Sequence, residues 1–200
     1  MVEPKFDNAL KIISRVGLIR SKDMKAKGIP REYLKRLSEQ KLIEKIGRGV
    51  YKSSNTNISE HHSLVEACIR VPRGVICLIS ALHFHEITTQ LPSEIWIAID
   101  NKSRKPKIDG LSLRIVRFSS DSLSSGIEEH TIEGVKIRVY SLAKTIADCF
   151  KYRNKIGLDV AIEALQDGWD KNKVSIDDLW KNANICRVSN VMRPYLEILK

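Results

Sequence analysis

The stretch Gly47-Arg48-Gly49 constrains the fold more than any other part of this chain. Two glycines in three residues interrupt any regular element. They stand between two short β-prone runs, Leu42-Ile43-Glu44-Lys45-Ile46 and Val50-Tyr51-Lys52, so the segment reads as a hairpin with an arginine at its tip. The residues before it have helical spacing. Phe6, Ala9, Leu10, Ile12, Ile13 and Val16 recur on one face of a helix over 6–16, and Gly17 stops it. Leu18-Ile19-Arg20 is short and extended. Ser21 stands where it could cap a brief helix over 22–27, with Asp23 in its first turn and Gly28 at its end. Pro30, whose fixed φ suits a first helical position, opens a third helix through residue 40 that turns Leu34, Leu37 and Tyr33 inward.

Three helices followed by a hairpin is the order of a winged helix-turn-helix. The charge agrees with that fold. The chain carries a formal charge of +10, and residues 1–53 hold 14 Lys and Arg against 6 Asp and Glu, while 54–200 hold 20 against 18. A compact basic module beside a nearly neutral one calls for a polyanion partner. A membrane-surface helix would set Trp or Phe beside its basic face, and this region has one Phe and no Trp. Double-stranded DNA is the expected partner. With Leu34 and Leu37 inward, Arg31, Glu32, Lys35 and Arg36 take the outer face of the third helix. Arg31 and Lys35 are the candidates for reading bases. Arg48, with Lys45 and Lys52, would touch phosphate or a narrow minor groove, and Lys22 and Lys25 would add phosphate contacts.

Apolar residues at 42% against 29% charged give ordinary globular composition, with neither a disordered chain's polarity nor an uninterrupted apolar run of membrane length. Glu3, Lys5 and Asp7 come early without an apolar leader, so the cytoplasm is the expected compartment. Cys68, Cys77, Cys149 and Cys186 show no C-x-x-C spacing and read as reduced, mostly buried thiols. A polar linker over 53–57 separates an N-terminal domain, 1–53, from a C-terminal domain, 59–200. In the second, Ser59 could cap a helix to residue 70. Strands are expected at 75–79, 94–100, 111–118 and 135–140, with a helix beginning at 80–85. Four helices should close the chain, at 141–153, 158–169, 175–184 and 188–199, the third opened by a Ser175-x-x-Asp178 capping box. The whole is α+β, a winged helix followed by a mixed sheet and a helical bundle.

Catalytic and metal motifs are incomplete. Asp100 and Lys102 form half of a metal-nuclease pattern, but Glu133 and Lys136 fall on opposite faces of a strand. Ser125-Gly126 reverses the Gly-Ser order of a nucleotidyltransferase, and no Asp-x-Asp follows. His83 and His85, two apart on a helix, diverge by about 200°. They form no zinc site with His61, His62, Cys68 or Cys77. Trp96, Trp169 and Trp180 read as core. Lys144, Lys151, Arg153 and Lys155, interrupted by Asp148 and Asp159, read as a solvated helix face. No enzymatic activity, cofactor or metal is expected.

The wing string Leu42 to Tyr51, with its Gly-Arg-Gly-Val-Tyr core, resembles the N-terminal domain of AbiEi-type antitoxins of bacterial type IV toxin–antitoxin systems. Ser80-Ala81-Leu82-His83-Phe84-His85-Glu86-Ile87 is similar to that family's S-A-L-x-x-H segment, with Ile87 where the family often has Gly. Pro92 to Ile99, Ser141 to Arg153 and Gly157 to Leu165 continue the likeness over nearly the whole chain. The resemblance implies a winged helix that represses its own operon by binding promoter inverted repeats. It also implies a C-terminal domain that counteracts a nucleotidyltransferase-like toxin without a stable complex. Two alternatives compete with that function: a winged-helix-guided metal nuclease, and a winged-helix regulator outside any toxin system.

Overall fold

A computed structural model describes residues 4–47, 49–54, 59–88, 92–106, 108 and 110–199. Arg48 and residues 55–57 of the expected linker lie outside the described residues. The chain divides into two compact units. The first comprises Met1–Pro72, Pro106–Leu111 and His130–Ile137, the second Arg73–Lys105, Ser112–Glu129 and Arg138–Lys200.

The first unit opens with α1 (Pro4–Val16), β1 (Leu18–Arg20), α2 (Ser21–Ala26), α3 (Arg31–Glu39), β2 (Ile43–Gly47) and β3 (Val50–Ser53). The strands form an antiparallel sheet in the order β1-β3-β2. One apolar cluster binds helices to sheet: Phe6, Ala9 and Ile13 of α1, Met24 of α2, Leu34 and Leu37 of α3, and Ile19, Ile43 and Tyr51 of the strands. This is a winged helix, as the order of elements in the sequence requires. Two local expectations differ. Ser21 does not cap α2; Arg20 is the N-cap, no side chain caps the helix, and the Arg20 guanidinium pairs at 2.8 Å with Asp23. A carboxylate in the first turn is favoured by the helix dipole, and here it also holds the residue before the helix. Pro30 is the N-cap of α3 rather than its first helical residue, so the helix begins at Arg31, one residue later than expected, after extended backbone.

The first unit continues past Ser53 and includes α4 (His62–Arg70). Ser59 was expected to cap this helix. Instead its N–H and hydroxyl both donate to Oε1 of Glu133, at 2.9 and 2.8 Å, and His62 Nδ1 lies 2.8 Å from Oε2. An ionised carboxylate only accepts, so the imidazole donates. Glu133 and Gly134 form the two-residue turn between β7 (Ile127–Ile132) and β8 (Val135–Tyr140), with φ of +51° and +71°. Positive φ at both positions matches the right-handed twist of a tight hairpin. A glutamate there bears the backbone strain because its carboxylate is held from three sides.

A five-stranded mixed sheet has the order β6-β5-β4-β8-β7, with β4 (Val75–Ile76), β5 (Ile95–Asp100) and β6 (Leu113–Phe118) in the second unit, to which residues 127–129 of β7 and 138–140 of β8 also belong. β5 is antiparallel to β4 and parallel to β6, and β4 is parallel to β8. The expected strand over 75–79 ends at Ile76. Cys77 is extended and its carbonyl accepts from Ala81 N–H, so Leu78 and Ile79 enter α5 (Leu78–Phe84). The short α6 (Ser120–Ser124) and edge strand β7 were not anticipated; the acidic Ile127-Glu128-Glu129-His130 run has weak strand character by composition. The closing helices are α7 (Leu142–Lys151), a separate turn α8 (Arg153–Ile156), α9 (Leu158–Asp170), α10 (Ile176–Cys186) and α11 (Ser189–Ile198). Ser175 caps α10 by accepting from Asp178 N–H at 3.1 Å, while its hydroxyl donates to the Asp178 carboxylate. All four cysteines are buried and outside any disulfide. No helix among the described residues is long and apolar enough to cross a membrane.

Burial alone would raise the Glu133 carboxyl, but the bonds from Ser59 and His62 outweigh it and hold the group below the ordinary glutamate range. Its contribution is therefore complete above about pH 4.3 and lost as pH falls through the lower folded value. Glu133→Gln should cost about 1–3 kcal/mol near neutral pH, and that gap from wild type should shrink on acidification in urea titrations. A gap that stays constant down to the acid transition would contradict this.

Candidate nucleic-acid interface

Leu34 and Leu37 have no exposed surface, and they fix the roll of α3. Arg31, Glu32 and Lys35 are consequently exposed along its outer side. The helix stands between two hollows and Arg31 borders both. One, about 670 Å³, runs along the α2–α3 turn past Lys22, Lys25 and Pro30. The other, about 700 Å³, separates α3 from the wing and is lined by Lys35, Lys45 and Tyr51. A protruding helix flanked by grooves whose rims carry lysines has the shape and charge of an element that enters a major groove. Lys35 lies 3.7 Å from Glu39, an exposed i,i+4 pair worth little in water and easily exchanged for phosphate.

The sheet register sorts the wing residues. Lys45 lies opposite Tyr51, a core residue, so it projects on the helix side of the sheet toward α3. Lys52 lies opposite Glu44, on the other face, half-buried and across from an acid. The two lysines expected to act together are thus separated by one position of pleat. Arg36 is also set apart from the outer face. It is half-buried, with its guanidinium 5.3 Å from the Phe6 ring centroid and 5.6 Å from that of Tyr33, so it closes the α1–α3 seam by stacking. Lys22 and Lys25 are exposed on α2, as expected. Arg20, not singled out in the sequence, borders a third hollow of about 840 Å³ together with Lys22, Lys45 and Arg70.

The groups weighed for catalysis have other occupations. Asp100 accepts from Lys102 N–H at 2.8 Å, and Glu133 is engaged by Ser59 and His62. His85 Nε2 lies 2.8 Å from the Tyr140 carbonyl. Among the described residues no group of three His, Cys, Asp or Glu is placed to hold a metal ion.

A basic winged helix whose third helix turns Arg31 and Lys35 outward defines the class. Residues 9–52 match the family of transcriptional regulators described as AbiEi antitoxin. No curated protein matches the chain.

The second unit contains one polar cluster that the sequence reading misplaced. Lys144, read as part of a solvated face, is fully buried and pairs at 2.5 Å with the equally buried Asp148. Its ammonium sits 4.4 Å from the Tyr140 ring centroid and 4.9 Å from that of Phe118. Cys186 donates its thiol to the other Asp148 oxygen at 3.2 Å. Burial pushes the Asp148 carboxyl up, and Lys144 pulls it back; the Cys186 thiol is pushed up to about 12 by burial and the neighbouring carboxylate. Gly126 admits the arrangement, because a Cβ there would come within 2.8 Å of Lys144 Cβ. The sequence did carry a signal: Lys144 and Asp148 are one helical turn apart in the otherwise uncharged run Leu142 to Phe150.

Removing one partner leaves a buried charge. Lys144→Met should therefore lose about 3–5 kcal/mol in chemical denaturation, and the double change Lys144→Met with Asp148→Leu should lose distinctly less. Equal losses would show that the ion pair is not what the site depends on.

Proposed function

We propose that the chain is the antitoxin and transcriptional autorepressor of a type IV toxin–antitoxin operon, acting in the cytoplasm. Its winged helix binds inverted repeats in the operon promoter, and its C-terminal domain counteracts a nucleotidyltransferase-like toxin without a stable complex. It has no enzymatic activity of its own. The observation that carries this reading is the set of outward cations on α3 and its flanks, on a segment whose family match is to AbiEi antitoxin regulators. In it Arg31 and Lys35 read bases, while Lys22, Lys25, Lys45 and, from the sequence, Arg48 hold the backbone. Arg36 acts through the α1–α3 seam, and Lys52 contributes only long-range charge.

Base and phosphate contacts have different signatures. Arg31→Ala should cost roughly 1–3 kcal/mol on the promoter duplex and much less on a scrambled one, measured by fluorescence anisotropy. Lys45→Ala should weaken both duplexes alike and reduce the magnitude of the salt slope by about 1. Equal losses on both duplexes for Arg31→Ala would remove α3 from the reading role. A duplex bound no better than its scrambled copy by wild type would remove autorepression.

A further inference from the structure

The wing is held by a residue outside the winged helix. Its register steps from Lys45 opposite Tyr51 to Gly47 opposite Val50, so Ile46 is a bulged residue immediately before the turn. A bulge bends and twists its strand, and the direction of the hairpin beyond depends on how that bulge is held. The Ile46 carbonyl accepts from Arg70 Nη2 at 2.6 Å. Arg70 is the last residue of α4, and Glu66, one turn earlier, pairs with the same guanidinium. The Arg70 side chain is only 9% exposed, and Glu66 is also mostly enclosed. The guanidinium carbon lies 3.8 Å from where a Cβ of Gly47 would stand. The guanidinium is thus held through Nη2 between a carboxylate and a carbonyl, with its carbon beside the wing backbone at Gly47; a lysine stem ends one bond short of Nη2 and does not carry its ammonium to both acceptors.

We propose that Arg70 is a positioning residue for DNA binding: from α4 it clamps the bulge at Ile46 and so sets the aim of the wing. It touches no base in this scheme. Its effect passes through Lys45, next to the bulge, and through the turn that follows. The start of α4 is itself clasped by Glu133 through Ser59 and His62, so the clamp is anchored at both ends of one helix. The inference rests on the DNA-binding reading for its consequence, but the clamp can be tested without DNA.

Hydrogen exchange on the full-length chain is the first test. Arg70→Gln should raise exchange about tenfold in amides between residues 44 and 50, while α1 and α3 keep their protection. Arg70→Lys, which keeps a cation beside Glu66, should show the same local loss and serves if the Gln variant does not fold. Unchanged wing protection, or a loss spread equally through α1 and α3, overturns the clamp. The second test is binding to a random-sequence duplex at low salt. Arg70→Gln should lose about five- to tenfold, less than additively with Lys45→Ala and additively with Arg31→Ala. Additivity with Lys45→Ala overturns the positioning role. If wild type ignores all duplex DNA, the DNA-binding reading fails, while the exchange result still decides the clamp.

Discussion

The burial of Leu34 and Leu37 among α1, α2 and β2 is the constraint on which the candidate interface depends. These two side chains, with Ile13, Met24 and Tyr51 around them, leave α3 one orientation in which its apolar stripe is satisfied. Each fully buried leucine is worth about 1.5–3 kcal/mol relative to exposure, so rolling the helix would cost far more than any surface charge could return. The placement of Arg31 and Lys35 toward solvent follows from that packing. So does the separation of Arg36, whose position on the seam makes it a lid over Phe6 and Tyr33.

The second unit has a different kind of core. Its sheet and helices bury a continuous apolar cluster, into which one ion pair is set beneath Tyr140 and Phe118. Such a pair adds little net stability compared with an apolar replacement, because desolvation consumes most of the attraction. Its directional demands are strict, however: the Lys144 ammonium must meet Asp148, the aromatic faces and the space left by Gly126 together. Alternative packings of α7 would strand a charge, which gives this helix a defined register in the core.

Much of this was legible in the amino-acid order. The helical periods before Gly47, the glycine-flanked turn and the charge excess in 1–53 led to the winged helix and its outward face. The capping box at Ser175 and the strand expected at 94–100, found at Ile95–Asp100, were equally plain. What escaped depends on tertiary context. Ser21 and Ser59 have the right chemistry for caps, but Asp23 engages Arg20 and the distant Glu133 claims Ser59. The strand expected through residue 79 ended early because the chain turned at Cys77. Lys45 and Lys52 could not be assigned to faces before the bulge fixed the register. The burial of Lys144 runs against the usual exposure of lysine and depends on its pairing with Asp148, one helical turn away.

On the proposed function, the leading winged helix grips duplex DNA through cations set around α3. The most direct measurement is the salt dependence of binding by the intact chain. If Lys22, Lys25, Lys45 and one or two neighbouring cations neutralise phosphates, log K against log salt should fall with a slope of about −3 to −5. A slope near zero, or no binding at about 50 mM salt where such contacts are strongest, would contradict it.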